Sequence, residues 1–192
     1  MSFEGYFTEH DDILENKLGI TDPEEMNALE AEIVPLRMAE LLSSPPKGKM
    51  DMAYLRKIHR RLFSDLYTMA GKIRTVDMAK GGSAFCYVQF IENEQQRIFA
   101  SMPSLFPRGK MMKEDFARSL AKLSADLNAL HPFREGNGRT IRTFLCILAM
   151  RHGYHLDFSL ADTDQLMIAD IAAFRGDLDL LTEVYAQIIS CD

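Results

Sequence analysis

Two apolar stripes in the second half of the chain constrain the fold more than any other feature of the sequence. The first consists of Phe116, Leu120, Leu123, Leu127 and Leu130, and the second of Ile141, Phe144, Leu145 and Leu148. Steps of three and four residues place each stripe on one face of a helix. Pro132 must end the first helix, because proline disfavours helical backbone in the residue before it. The sequence therefore predicts two helices joined by residues 131–142, HPFREGNGRTIR, which we call the signature loop.

Most of the remaining chain has the same helical periodicity. Further helices are predicted to start at Pro23, to run from Met52 to a stop at Gly71, and to cover about 91–102, 162–174 and 177–190. Strand-forming residues on both sides of the turn KGGS at 80–83 predict one β-hairpin at about 73–90, which we call the flap. The predicted fold class is therefore all-α, with about seven helices and one small β-hairpin.

Length and composition exclude several classes of protein. A chain of 192 residues suits one domain, here a polar N-terminal arm over 1–20 followed by a helical domain over 21–192. The net charge of −6 argues against binding of nucleic acid, and no stretch approaches the ~18 apolar residues that span a membrane. Three cysteines without a CxxC pair argue against a disulfide framework or zinc site, and the N-terminus does not resemble a signal peptide. We therefore expect a protein of the reducing cytoplasm.

The signature loop contains more polar residues and glycines than a connection between two helices requires. It opens a helix whose free N–H groups and positive dipole end attract anions, most often phosphate. Gly136 and Gly138 would let the backbone approach that anion closely, although a tight helix entry alone would explain one glycine. Asn137 tolerates left-handed backbone and can donate a hydrogen bond. This is not a Walker A loop, because the pattern G-x-x-x-x-G-K-[ST] is absent from the sequence.

The charged residues around these glycines predict a polyphosphate site. Arg139 and Arg142 share one helix face and can each bind several phosphate oxygens. Glu135 would fit beside bound phosphates if it held Mg²⁺, which takes its other ligands from water and phosphate. His131 can accept a proton near neutral pH, although a lone histidine before a proline is more often an ordinary helix-end residue. Phe133 is predicted to anchor the loop in the core.

Several residues outside this pattern have simpler explanations. Arg134 is expected to be solvated, and Cys86 is expected to pack rather than to act as a nucleophile. The remaining histidines are expected to be structural or exposed, namely His10, His59, His152 and His155. Without further information, the turn of the flap is as compatible with a plain hairpin as with a functional element.

The signature loop resembles that of the Fic (filamentation-induced-by-cAMP) family, whose pattern is H-x-F-x-[D/E]-G-N-G-R-x-x-R. Every fixed position matches. The resemblance extends to NKLGI at 16–20, IHRRLFSDLYTMAGKIRTVD at 58–77 and KGGSAF at 80–85. The signature loop differs from that of the Doc branch of the family, in which a lysine-containing sequence replaces G-N-G-R.

The resemblance implies a Fic-type helical bundle that transfers AMP from ATP to a tyrosine, threonine or serine hydroxyl of a target protein and releases pyrophosphate. It implies His131 as the base, Glu135 as the Mg²⁺ ligand and Phe133 as a core residue. The backbone of Gly136, Asn137 and Gly138 would form the anion hole, and Arg139 and Arg142 would hold the β- and γ-phosphates.

The same resemblance implies that the flap covers the nucleotide and pairs with the target backbone as an added strand, with Lys80 and Gly81 at its tip as ATP-binding residues. Two rival functions remain open from the sequence. The same loop could transfer a different phosphate-bearing group, or it could be a nucleotide-dependent binding module without catalysis.

Many Fic proteins are inhibited by a helix with the pattern [S/T]-x-x-x-E-[G/N], whose glutamate would pair with Arg139. The only near match runs from Thr21 to Glu25, with Met26 where Gly or Asn is expected, and helix capping already explains these residues. We therefore expect a separate small antitoxin protein to supply the inhibitory glutamate, with internal inhibition through Thr21–Glu25 as the alternative.

Overall fold

The computed structural model describes residues 13–80 and 82–191. In this part of the chain, seven α-helices make up most of the structure, and the predicted all-α class is confirmed. They are α1 (Pro23–Ser43), α2 (Met52–Phe63), α3 (Val88–Leu105), α4 (Lys113–Leu130), α5 (Asn137–Arg151), α6 (Thr163–Phe174) and α7 (Asp179–Ile188).

Four short strands form two antiparallel pairs. In the flap, β1 (Ala79–Lys80) pairs with β2 (Ser83–Ala84). The second pair joins β3 (Tyr154–Leu156) to β4 (Ile189–Cys191) and was not predicted. The sequence pattern extended the last helix to residue 190, but the chain leaves α7 at Ile188 to pair with β3, a long-range contact that periodicity does not reveal.

Helix α4 lies at the centre of the fold and packs against α3, α5, α6 and α7. The predicted stripes of α4 and α5 are both buried, and Phe116, Leu120 and Phe144 are fully inaccessible to solvent. Burial of apolar surface, at about 25 cal/mol per Å², fixes these two helices relative to each other. The signature loop therefore begins and ends on rigid supports.

Three predictions about the helices were wrong in detail. On α1, the helical spacing of Leu29, Ile33, Leu36 and Leu41 predicts a shared buried face, but Leu36 is 66% exposed. The buried residues of this helix include Met26, Glu30 and Val34. Helix α2 ends at Phe63 rather than near Gly71, and the chain continues in turns. Helix α3 begins at Val88, so the flap is shorter than predicted, and the name is kept for residues 76–86 around β1 and β2.

Part of the predicted arm packs against the helical domain. The side-chain amide of Asn16 donates to the Ile20 carbonyl and accepts from the Ile20 N–H, which folds residues 16–20 into a closed turn. The Lys17 N–H donates to the carbonyl of Leu66, and Ile13 is 5% exposed.

None of the helices in the described part of the chain combines the length and apolar character needed to cross a membrane.

Candidate active site

The backbone of the signature loop turns sharply between α4 and α5. His131 ends α4 with a left-handed backbone, φ 45°, and is the only described residue other than glycine with a positive φ. Gly136 is also left-handed, φ 74°, and helix α5 begins at the next residue. The left-handed position is therefore Gly136 and not Asn137, for which the sequence suggested that geometry. A non-glycine residue with positive φ is strained, and such strain is common at functional sites.

The side chain of Asn137 holds the loop closed. Its Nδ2 donates to the Phe133 carbonyl at 2.7 Å, and its Oδ1 accepts from the Phe133 N–H at 2.9 Å. Because both amide atoms are used, only the backbone N–H of Asn137 remains for an anion. The Phe133 ring is fully buried, as predicted, and stacks on His59 with ring centroids 3.9 Å apart.

The two glycines of the loop differ in their surroundings. A methyl group at Gly136 would lie 2.3 Å from the ring of Phe63, so this glycine is required by packing as well as by its positive φ. A methyl group at Gly138 would meet no described atom within 4 Å beyond its chain neighbours and its own helix backbone. Packing therefore explains Gly136, and the open space at Gly138 is available to a ligand at the N-terminus of α5.

The ring of His131 is half-buried against the flap. It stacks on Phe85 with centroids 3.7 Å apart and an interplanar angle of 12°. Its Nδ1 is buried without a hydrogen bond of normal geometry in the described part of the chain. Burial lowers the pKa of His131 to about 4; the backbone of Asn128 opposes this, and the charges of Arg74 and Lys80 reinforce it. The ring is therefore neutral at pH 7 and able to accept a proton.

Arg139 is held from three sides. Its Nη1 lies 2.5 Å from Oε2 of Glu30 on α1, its Nη2 lies 3.5 Å from Oε1 of Glu135, and its guanidinium lies 4.8 Å from the ring centroid of Phe63. The Tyr67 hydroxyl donates to the other oxygen of Glu30. Burial and Glu30 raise the pKa of Tyr67, so the hydroxyl stays protonated.

Arg142 and Glu135 are more accessible than Arg139. Arg142 is exposed, and its guanidinium lies 5.6 Å from the ring centroid of Phe158. Burial raises the pKa of the nearby Asp170 carboxyl, an effect that Arg142 opposes. Glu135 accepts the Gly136 N–H at 2.8 Å and keeps 47% of its side chain exposed, so its carboxylate remains open to a cation.

Lys80 lies at the end of β1, exposed, and its charge acts on the His131 ring across the site. Gly81, its predicted partner at the flap tip, lies outside the described residues. Arg134, expected to be solvated, is half-buried. The structure thus brings the flap, His131, Glu135 and the start of α5 to one face of the bundle.

Sequence reasoning missed two residues that contact this site. Glu30 lies on the buried face of α1, four residues from both Met26 and Val34, and a charge inside an apolar stripe was the available signal. Glu25, the near match to the inhibitory pattern, is exposed. His59 had been left as structural or exposed; it is 2% exposed, and its Nδ1 accepts the Gly71 N–H, so Nε2–H donates to the Glu135 carbonyl.

Comparisons with known proteins identify the family of the chain. A family model described as the Fic/DOC family matches residues 49–149. The Sinorhizobium fredii protein named "Probable protein adenylyltransferase y4lH" is 38% identical over 167 residues, which are 86% of this chain and 85% of that protein.

Two solved Bartonella structures are similar over nearly the whole chain. BepC of Bartonella tribocorum with bound AMPPNP has a TM-score of 0.91 at 25% identity, over 97% of both chains. The N-terminal Fic domain of a Bep effector of Bartonella quintana with bound ADP has a TM-score of 0.91 at 28% identity, over 97% of this chain and 95% of that chain. From its signature loop, its fold and these relatives, the chain belongs to the Fic/DOC family.

Proposed function

We propose that the protein is a protein adenylyltransferase, which transfers AMP from ATP to a tyrosine, threonine or serine hydroxyl of a target protein. The observation that carries the proposal is a neutral, half-buried His131 beside the open N-terminus of α5, in a fold shared with nucleotide-bound relatives. The hydroxyl oxygen forms a bond to the α-phosphorus, the bond from that phosphorus to the bridging oxygen breaks, and pyrophosphate leaves. His131 takes the proton of the hydroxyl.

Transfer at phosphorus depends chiefly on positioning and charge neutralisation. Backbone N–H groups at Asn137 and Gly138 would bind the phosphate oxygens, with the positive end of the α5 dipole behind them. The N–H of Gly136 would join them only by giving up its hydrogen bond to Glu135. Arg139, already oriented by Glu30, and the exposed Arg142 would bind the β- and γ-phosphates.

The carboxylate of Glu135 is chemically suited to bind a Mg²⁺ ion. It offers a partly exposed carboxylate, and no group of three His, Cys, Asp or Glu side chains in residues 13–80 and 82–191 could hold a metal by itself. Mg²⁺ suits such a site, because it takes most of its ligands from water and phosphate oxygens, whose charge it neutralises.

The target would bind along the flap. Strands β1 and β2 are two residues long and largely exposed, so an extended segment of a target protein can add to them through backbone hydrogen bonds. The resemblance assigns Lys80 and Gly81 to the nucleotide. The exposed position of Lys80 at the end of β1 supports contact with the target segment instead, and Gly81 is assigned to the same tip from the sequence alone. Cys86, Cys146 and Cys191 are all free thiols, which favours the reducing cytoplasm as the place of the reaction.

A separate small antitoxin protein remains our proposal for inhibition, by placing a glutamate on the arginines of the loop. Glu30 already pairs with Arg139, so an incoming glutamate would either displace it or bind Arg142. The variants Glu25→Gly and Glu30→Gln separate internal from external inhibition. We expect neither to raise transfer activity; a large increase with either one would place the inhibition inside this chain.

Labelled ATP tests the proposed reaction. With a lysate as the source of targets, α-labelled ATP should label protein and γ-labelled ATP should not. His131→Ala should abolish the label, and His155→Ala, at an exposed histidine, should leave it unchanged. Label from the γ position alone would indicate transfer of another phosphate-bearing group. ATP binding without any label would indicate a binding module and overturn the proposal.

A further inference from the structure

Arg74 is an arginine that is almost completely buried, with 1% of its surface exposed. It lies in the chain segment that leads into the flap, and its guanidinium donates to backbone carbonyls. Nε donates to His131 at 2.7 Å, Nη1 to Val76 at 2.6 Å, and Nη2 to Cys86 and, at 3.4 Å, to Leu130. A buried charge is costly unless its hydrogen bonds are satisfied, so this arrangement is specific.

The carbonyls bound by Arg74 belong to the two halves of the candidate site. Val76 and Cys86 are at the two ends of the flap, on either side of β1 and β2. Leu130 and His131 are the last residue of α4 and the residue that caps it. One planar guanidinium therefore joins both ends of the flap to the end of α4, in a geometry that a lysine could not reproduce with its single ammonium group.

Two further contacts join the same parts. The backbone N–H of Arg74 donates to the Pro132 carbonyl at 2.9 Å, and Phe85 stacks on the His131 ring. His131 has a left-handed backbone, which the surrounding structure must impose. The bond from Nε of Arg74 to the His131 carbonyl is one of the contacts that impose it.

We propose that Arg74 is a positioning residue, which fixes the target-docking flap relative to His131 so that the target hydroxyl reaches the base. The proposal rests on the function proposed above and extends it. Arg74 does not touch the nucleotide in this view. It acts through the backbone of the flap and of the histidine, and a misplacement of about 1 Å in such a pair costs roughly 100-fold in rate.

Arg74 also acts on the ring of His131 through its charge. The charged groups that affect this ring are the buried Arg74 and Lys80 on the flap, and both favour its neutral form. Removal of the Arg74 charge should therefore raise the pKa of His131. This effect can be measured without turnover. Because loss of packing would also raise the pKa by exposing the ring, a charge effect is shown by a rise in Arg74→Met that Arg74→Lys, which keeps the charge, does not share.

The experiment compares three variants of the full chain. Arg74→Met removes the hydrogen bonds and the charge, and Arg74→Lys keeps the charge. Arg151→Met is the matched control, because Arg151 donates to the Gly48 and Pro46 carbonyls at the far end of α5. The measurements are the folded fraction by circular dichroism, the affinity for AMPPNP, kcat for AMP transfer, and the pKa of His131 by NMR.

We expect Arg74→Met to lower kcat about 100-fold, to leave the AMPPNP affinity unchanged and to raise the pKa of His131. Arg74→Lys should lose much of the rate but keep the pKa, and Arg151→Met should keep both. If Arg74→Met does not fold, the loss of rate in a folded Arg74→Lys carries the test. Unchanged kcat in folded variants, or a fall matched by Arg151→Met, overturns the inference. A wild-type chain without AMP transfer would instead overturn the proposed function.

Discussion

The signature loop and the flap face each other across the candidate site, but they are built in opposite ways. In the loop, the Asn137 side chain binds the backbone of Phe133 twice, and His59 holds the Glu135 carbonyl. In the flap, only two residue pairs of the described ladder connect β1 to β2, and Ala79, Lys80 and Ala84 are exposed. A loop backbone held by several hydrogen bonds suits a site for phosphate, whose shape is constant. An open edge would suit a target protein whose backbone adds to the sheet, as proposed above.

The contrast indicates how free energy is distributed in this site. A preorganised anion site does not have to reorder its donors when charge develops, which favours catalysis. A short exposed strand pair gains its remaining hydrogen bonds only when a partner binds. Changes in the loop should therefore alter stability or chemistry, and changes in the flap should alter the use of the target.

The largest expected effect comes from Gly136→Ala. The new methyl group would meet the Phe63 ring, and alanine would be strained at φ 74°. Strain of about 1–2 kcal/mol and overpacking of about 1–3 kcal/mol should lower the free energy of unfolding, measured with urea. In the double variant with Phe63→Ala, the loss should be smaller than the sum of the two single losses. Additive losses would show that the contact with Phe63 is not the cause.

Acid should weaken the loop through His59. Burial lowers its pKa from 6.5 to about 4, so the unfolded chain takes up a proton between these values and the native protein does not. Stability is therefore greatest above pH 6.5 and falls as the pH drops towards 4, by about 3 kcal/mol from this residue.

Urea unfolding at several pH values measures this loss. His59→Gln should be less stable than wild type near neutral pH but lose less stability between pH 6.5 and 4. Equal losses over this range in both proteins would assign the acid sensitivity to other groups.

Gly138→Ala should separate function from stability within the same loop. Because the added methyl group meets open space inside a helix, the free energy of unfolding should stay the same or rise by up to about 1 kcal/mol. AMP transfer should fall about 100-fold, because the methyl group would hold the phosphate about 1 Å farther from the backbone and a misplacement of that size costs roughly this much. Unchanged transfer would mean that phosphate does not approach this part of the backbone.

The smallest expected effect is that of Lys80→Ala on the flap. Its exposed side chain should contribute less than about 0.5 kcal/mol to stability. The KM for a target protein should rise a few-fold, by about 1 kcal/mol or less, with the KM for ATP unchanged. Lys72→Ala, at another exposed lysine, is the control. A larger change in the KM for ATP would place Lys80 at the nucleotide instead.

The sequence predicted the main helices because burial of a periodic stripe is a local property of the chain. The stripes of α4 and α5 were predicted with their order and the loop between them. The burial of Phe133 was also predicted. The paired strand β4 was not, because it depends on a contact with β3 more than 30 residues away in the chain, and a short apolar run fits a helix equally well.

For the candidate site, the sequence by itself determined which groups the loop carries: a histidine, a carboxylate, two glycines and two arginines, at spacings that favour phosphate. Only the tertiary structure decided how they are held. It placed Glu30 on Arg139, His59 on the Glu135 carbonyl and Arg74 between the flap and His131. It also showed that packing against Phe63 requires Gly136, whereas the space beside Gly138 is open. Spacing along a chain fixes neighbours on one helix, whereas these contacts join segments that meet only when the core packs.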